Sequence, residues 1–133
     1  MAKTKIGSCL CGAVRYEVNG PLRDSMACHC LQCRKTSGHY VSATAVKKSD
    51  LLILEDRGLK WYQSSLTARR GFCAECGSSL FWDLDGRELM GVMSGTLDGV
   101  TGIETSSHIF VGMKGDYYDL SDDLPKHDGY PED

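Results

Sequence analysis

Seven cysteines stand in a chain of 133 residues, grouped as Cys9-Leu10-Cys11, Cys28-His29-Cys30-Leu31-Gln32-Cys33 and Cys73-Ala74-Glu75-Cys76-Gly77. Thiols at such close, fixed spacing either pair as disulfides or hold a metal as thiolates. The count is odd, and the opening Met1-Ala2-Lys3-Thr4-Lys5-Ile6-Gly7 holds no apolar stretch of the kind that exports a protein. The reading is therefore a cytoplasmic protein whose reduced cysteines bind metal.

The spacing predicts how the ligands divide. Two residues apart on extended chain, Cys9 and Cys11 point the same way and can grip one ion. Cys73 and Cys76 form a zinc knuckle, with Gly77 free to take positive φ so that the chain folds back and both sulfurs converge. Together they make the four-thiolate set that structural Zn²⁺ prefers, with Zn–S bonds of about 2.3 Å and no open position. The competing reading, a redox dithiol at Cys73 and Cys76, lacks the βαβ pattern that normally accompanies one.

Cys28, Cys30 and Cys33 can meet at a second point if a short helix begins after Cys30. Three protein ligands with one place open mark a zinc site that binds or transforms something, and a sulfur-rich site suits an incoming thiolate. The expectation is two Zn²⁺ per chain, one structural and one reactive; a single site drawing on only four or five of the seven cysteines is the competing reading. Alternation aims His29 away from its neighbours, so it reads as a supporting residue. His39, His108 and His127 read as ordinary polar residues. Arg34-Lys35 follows Cys33, and Arg69-Arg70 precedes Phe72-Cys73. Arg34 is the candidate for orienting an anionic ligand, whereas Arg69 and Arg70 read as balancing the charge of the thiolates.

The elements that must hold these groups are mostly strands. In the run from Ala13, residues Val14, Tyr16 and Val18 alternate with Arg15 and Glu17, the mark of a half-buried strand. Tyr40 to Val46, Leu51 to Leu54, Leu59 to Gln63 and His108 to Val111 are further β-type runs. Phe81 to Leu84 and Arg87 to Met90 flank Asp85-Gly86, a two-residue hairpin signal. Only Leu31 to Ser37 predicts a helix, ended by Gly38. The tail after Asp119 reads as an acidic, irregular strap or loose end.

Composition bounds the rest. The length suits a single domain over residues 1–133. A formal net charge of −3 provides no basic field for nucleic acid and no polybasic patch for anionic lipid. No apolar run approaches the roughly 20 residues that a membrane-spanning helix needs.

Three segments resemble the glutathione-dependent formaldehyde-activating enzyme family. They are Gly7-Ser8-Cys9-Leu10-Cys11-Gly12-Ala13-Val14-Arg15-Tyr16-Glu17-Val18, Cys28 to Lys35 with Gly38, and Arg70-Gly71-Phe72-Cys73-Ala74-Glu75-Cys76-Gly77-Ser78. Gly95-Thr96-Leu97-Asp98, His108-Ile109-Phe110-Val111 and Asp123-Leu124-Pro125 extend the likeness over about residues 6–128. The resemblance implies a mainly β, antiparallel β-tent built around zinc sites, with ligands partitioned as above. It also implies a carbon–sulfur lyase that joins glutathione to formaldehyde, giving S-hydroxymethylglutathione, with a small thiol such as glutathione as partner. Centromere protein V, which acts in chromatin, belongs to the same family. A non-enzymatic zinc module for protein binding or metal and redox sensing is therefore the alternative.

Overall fold

The structure is a computed structural model and describes residues 4–131; Glu132 and Asp133 of the acidic tail lie outside the described residues. Ten strands run in the order β1 (Lys5–Ser8), β2 (Arg15–Val18), β3 (Ser25–Cys28), β4 (Val41–Lys47), β5 (Leu51–Glu55), β6 (Leu59–Gln63), β7 (Ala68–Cys73), β8 (Ser79–Leu84), β9 (Leu89–Met93) and β10 (Thr105–Ile109). One helix, α1 (Leu31–Ser37), falls between β3 and β4. Three strands form a small sheet in the order β1-β2-β5, and seven form a large one in the order β10-β3-β4-β9-β8-β7-β6. The fold is mainly β and mainly antiparallel, as expected; β10 lies parallel to β3.

Side-chain alternation decides what each face of the large sheet does. One face carries Val46 of β4, Val92 of β9 and Phe81 of β8, all fully or almost fully buried. It packs against Tyr16 and Val18 of β2 to make the core. Tyr16 meets Phe81 edge to face at 5.3 Å, and its hydroxyl bonds Thr96 Oγ1 at 2.6 Å, so the largest buried ring is also polar-satisfied. The other face carries the intervening residues. In register these are Ala43 beside Met93, Ala45 beside Gly91, and Trp82 beside both Gly91 and Arg70. Small residues along its middle hollow this face into a cleft.

α1 occupies the span read from the sequence. Gly38 ends it with φ 86°, its N–H closing on Arg34 O, a conformation that favours glycine. Two readings are corrected. Cys9 to Cys11 lie in the turn between β1 and β2 instead of on extended chain, because Cys9 N–H closes on Val14 O and Gly12 N–H on Cys9 O. The second strand of the Asp85-Gly86 hairpin begins at Leu89, not Arg87. Arg87 N–H bonds Leu84 O, and Glu88 O accepts from Lys48 N–H, which pulls residues 85–88 into a wider turn.

The tail is a strap. His108 N–H bonds Pro125 O, His127 N–H bonds His108 O, and Val111 N–H bonds His127 O, so this segment covers the outer edge of β10. No helix among the described residues is long and apolar enough to cross a membrane.

Candidate metal centres and an arginine-lined cleft

The turns after β1 and β7 bring Cys9, Cys11, Cys73 and Cys76 together, with their sulfurs all within 4.8 Å of one another. Cys9 Sγ to Cys11 Sγ is 3.8 Å, and Cys11 Sγ to Cys73 Sγ is 3.7 Å. A tetrahedron of Zn–S bonds near 2.3 Å has edges of about 3.8 Å, so the donor set fits zinc. The knuckle has the geometry its spacing predicts: Gly77 takes φ 84°, and its N–H bonds Cys73 O at 2.7 Å. Backbone N–H groups favour thiolates here, Val14 donating to Cys9 Sγ and Cys76 N–H to Cys73 Sγ. Ser78, through its hydroxyl and then its N–H, lowers the Cys76 thiol to about 5. Gly58 permits the approach of the β5–β6 turn, since a Cβ there would stand 2.7 Å from Cys73 Sγ.

The second cluster is assembled where β3 runs into α1. Cys28 is the last residue of β3, Cys30 caps α1, and Cys33 lies one turn into the helix, its N–H donating to Cys30 Sγ. All three sulfurs lie within 4.8 Å of one another, and among the described residues no other cysteine, histidine or carboxylate joins them. Cys28 first, and then Cys33, lower the Cys30 thiol to about 2, whereas Cys30 and then Cys33 push the Cys28 thiol up. Such a shared-proton cluster is what a divalent cation would replace by three thiolates.

These cysteines stand at one end of the cleft on the open face of the large sheet, a cavity of about 940 Å³. Its floor is largely hydrocarbon, from Met26, Ala43, Ala45, Leu84 and Met93. Arg23, Arg70 and Arg87 line it, with no carboxylate among the lining residues. Arg70 donates to Gln32 Oε1 at 3.2 Å and approaches Cys33 Sγ at 3.7 Å. Arg34 lies elsewhere: it does not line the cleft, its Nε is buried without a hydrogen-bond partner, and its charge is felt by Tyr118. Each helical residue is turned about 100° from the last, so the residue after Cys33 faces another side.

His29 is fully buried, and both of its ring nitrogens are engaged, Nδ1 with Tyr118 Oη and Nε2 with His108 Nδ1 at 2.9 Å. His108 Nε2 in turn meets Asp122 Oδ2 at 2.8 Å. Burial first, then the charges of His108, Lys114 and His39, lower His29 to about 4. Neither His29 nor His108 has a nitrogen free for a metal. They tie the β3–α1 junction to β10 and the strap, a supporting role that fits the expectation for His29. Sequence reasoning passed over Arg23 and Arg87 and assigned Arg70 a balancing role. Only β7's alternation, setting Arg70 opposite Arg69, offered a signal for one of them.

The fold and the donor sets define a β-sheet domain with one closed four-cysteine cluster and one three-cysteine cluster opening on a cleft. The model of the glutathione-dependent formaldehyde-activating enzyme family matches residues 4–113, and the chain belongs to that family. It is 26% identical over 117 residues to an uncharacterized lyase of Schizosaccharomyces pombe, covering 86% of this chain and 84% of the relative. It is 34% identical over 89 residues to a Halomonas elongata protein provisionally named glutathione-dependent formaldehyde-activating enzyme, covering 61% of this chain and 56% of that protein. Among solved structures, a Rhodobacter sphaeroides protein superposes with a TM-score of 0.60 at 32% identity, over 73% of this chain and 91% of the other.

Proposed function

We propose that this protein is a zinc-dependent enzyme of the carbon–sulfur lyase type that joins a small thiol to an aldehyde. Glutathione and formaldehyde, giving S-hydroxymethylglutathione, are the pair the family's description points to. The observation that carries the reading is the cluster of Cys28, Cys30 and Cys33 at the head of a cleft, with no fourth ligand among the described residues. The names of the two relatives, a lyase and a formaldehyde-activating enzyme, support it.

Zinc held by these three thiolates would supply Lewis acidity, lowering the pKa of a thiol at the open position from its usual value near ~8.5. The chain's own residues do the rest. Three thiolates around a divalent cation leave one excess negative charge, and Arg70 beside Cys33 offsets the further charge that a substrate thiolate brings. The hydrocarbon floor limits water around the reacting carbon. In the bond-making direction an S–C bond forms, the carbonyl π bond breaks, and its oxygen takes up a proton to become a hydroxyl.

Cobalt substitution tests the reading, because a fourth thiolate alters the metal's charge-transfer bands. Reduced glutathione should change them, while its S-methyl derivative, which keeps the charges but cannot supply a thiolate, should not. If both act alike, or neither acts, thiolate ligation fails, and a non-enzymatic zinc module accounts better for the protein.

A further inference from the structure

From the cleft opposite the cysteines, we infer a second binding site: Arg23 and Arg87 form a carboxylate subsite, and the substrate is a thiol with a hydrocarbon body and an acidic end. This rests on the reading of the three-cysteine cluster as the thiol-binding site.

The Arg23 guanidinium bonds backbone carbonyls alone. The residue's backbone N–H bonds Ala45 O, its Nε bonds Asp24 O, and its Nη2 bonds Ala43 O at 3.0 Å. Arg87 lines the same cleft from the β8–β9 turn. Burial first, and then the charge of Arg87, lower the Arg23 guanidinium's pKa. Both guanidiniums line one cleft whose floor is largely hydrocarbon. Asp24 Oδ1 accepts from Glu104 N–H, and Glu88 faces Lys47 at 3.8 Å. Among the described residues neither Arg23 nor Arg87 has a carboxylate partner. Two guanidiniums lining one cleft, with no carboxylate among the described residues that line it, suit a bidentate anion such as a carboxylate.

Register fixes the spacing between the two sites. Cys28 pairs with Val41, and the Arg23 head lies over Ala43, two residues further along β4. That is roughly 7 Å along the strand, about the span of a short alkyl chain. Met26 and Met93 stand in register on either side of Ala43, so the floor there is hydrocarbon. A hydrocarbon segment would bury apolar surface there.

The test measures binding by calorimetry to the zinc-loaded full-length protein, using three probes of equal length and one polar counterpart. The probes are mercaptohexanoate, mercaptohexanol and methylthiohexanoate, with mercaptoacetylglycine as the polar-bodied thiol acid. Mercaptohexanoate should bind about tenfold more tightly than mercaptohexanol. Arg23→Gln and Arg87→Gln should each remove most of that advantage while leaving mercaptohexanol's affinity unchanged. Arg87 is exposed in a turn, so its variant reports on the subsite even if Arg23→Gln disturbs folding. Mercaptoacetylglycine should bind several-fold more weakly than mercaptohexanoate; equal binding overturns the hydrocarbon part of the proposal. The subsite is overturned if acid and alcohol bind wild type alike, if both variants keep the acid's advantage, or if no acid binds. A methylthiohexanoate that binds as tightly as the thiol acid would instead overturn thiolate ligation and leave the subsite standing.

Discussion

Arg70 of β7 and Cys33 of α1 are 37 residues apart in the chain, yet Arg70 Nη2 lies 3.7 Å from Cys33 Sγ. The same guanidinium group holds Gln32, whose own Nε2 reaches Ser64 O in the β6–β7 turn, so α1 is pinned across the sheet by one polar chain. Arg70 therefore couples the position of a candidate metal ligand to the wall of the cleft. Arg70→Ala should weaken thiol binding about tenfold. The Tm should move little, since the side chain's hydrogen bonds to Gln32 are exposed. Calorimetric titration with reduced glutathione beside a thermal melt checks both; a large fall in Tm with unchanged affinity would make Arg70 a structural strut only.

Metal content follows from the two clusters. Zinc-supplied protein should carry close to two metals per chain, and a chromophoric chelator should strip them in two phases, with the three-cysteine site emptied first. Metal analysis at each phase checks this, and one tightly held zinc under all conditions would refute it.

The clusters should also differ in what they stabilise. Cys76→Ser removes a candidate metal ligand that would join the β1–β2 turn to the β7–β8 turn, so Tm should fall by roughly 10 °C or more. Cys30→Ser should leave a folded protein with a much smaller fall and no thiol binding. Equal, mild losses in both would contradict the division.

Asp83, buried in β8, pairs with Lys48 at 2.7 Å and Arg69 at 2.9 Å. Burial opposes its ionisation, but the two cations outweigh it and hold its pKa below the usual carboxylate value. A carboxyl with a depressed folded pKa stabilises the protein above its unfolded pKa, near ~3.9, and loses that contribution as pH falls through the folded value. Asp83→Asn should cost about 1–2 kcal/mol at neutral pH, since the unpaired cations are partly solvated, and the deficit should shrink below about pH 4. Urea titrations of both proteins from neutral to acid pH measure it.

The strap depends on His108, whose hydrogen bond holds Asp122 down to about 2. Its contribution should be intact above about pH 4 and fade as pH falls towards 2. Asp122→Asn should leave the fold in place and speed amide exchange at His127, whose N–H bonds His108 O. Hydrogen-exchange mass spectrometry resolves this; unchanged protection would mean that backbone pairing alone secures the tail.

The local features were legible because each depends on neighbours in the chain. The spacing of Cys73, Cys76 and Gly77 forces a knuckle, Leu31 to Ser37 with Gly38 defines a single short helix, and the alternation around Tyr16 marks a buried face. The convergence of Cys28, Cys30 and Cys33 follows from a strand meeting a helix. Other features depend on register between strands distant in sequence, and spacing does not encode register. Whether Arg34 or Arg70 faces the cleft turns on which side of a helix and which face of β7 the sheet leaves open. The union of His29 with His108, Tyr118 and Asp122 requires β10 to lie parallel to β3 and the tail to fold back along it. Even the Arg87 turn was set at a distance, because Lys48 draws Glu88 out of the hairpin that Asp85-Gly86 alone would make. The sequence by itself determined the cysteine spacing and the thiol chemistry it allows; only tertiary packing decided which charges face the cleft, because that depends on how whole strands align.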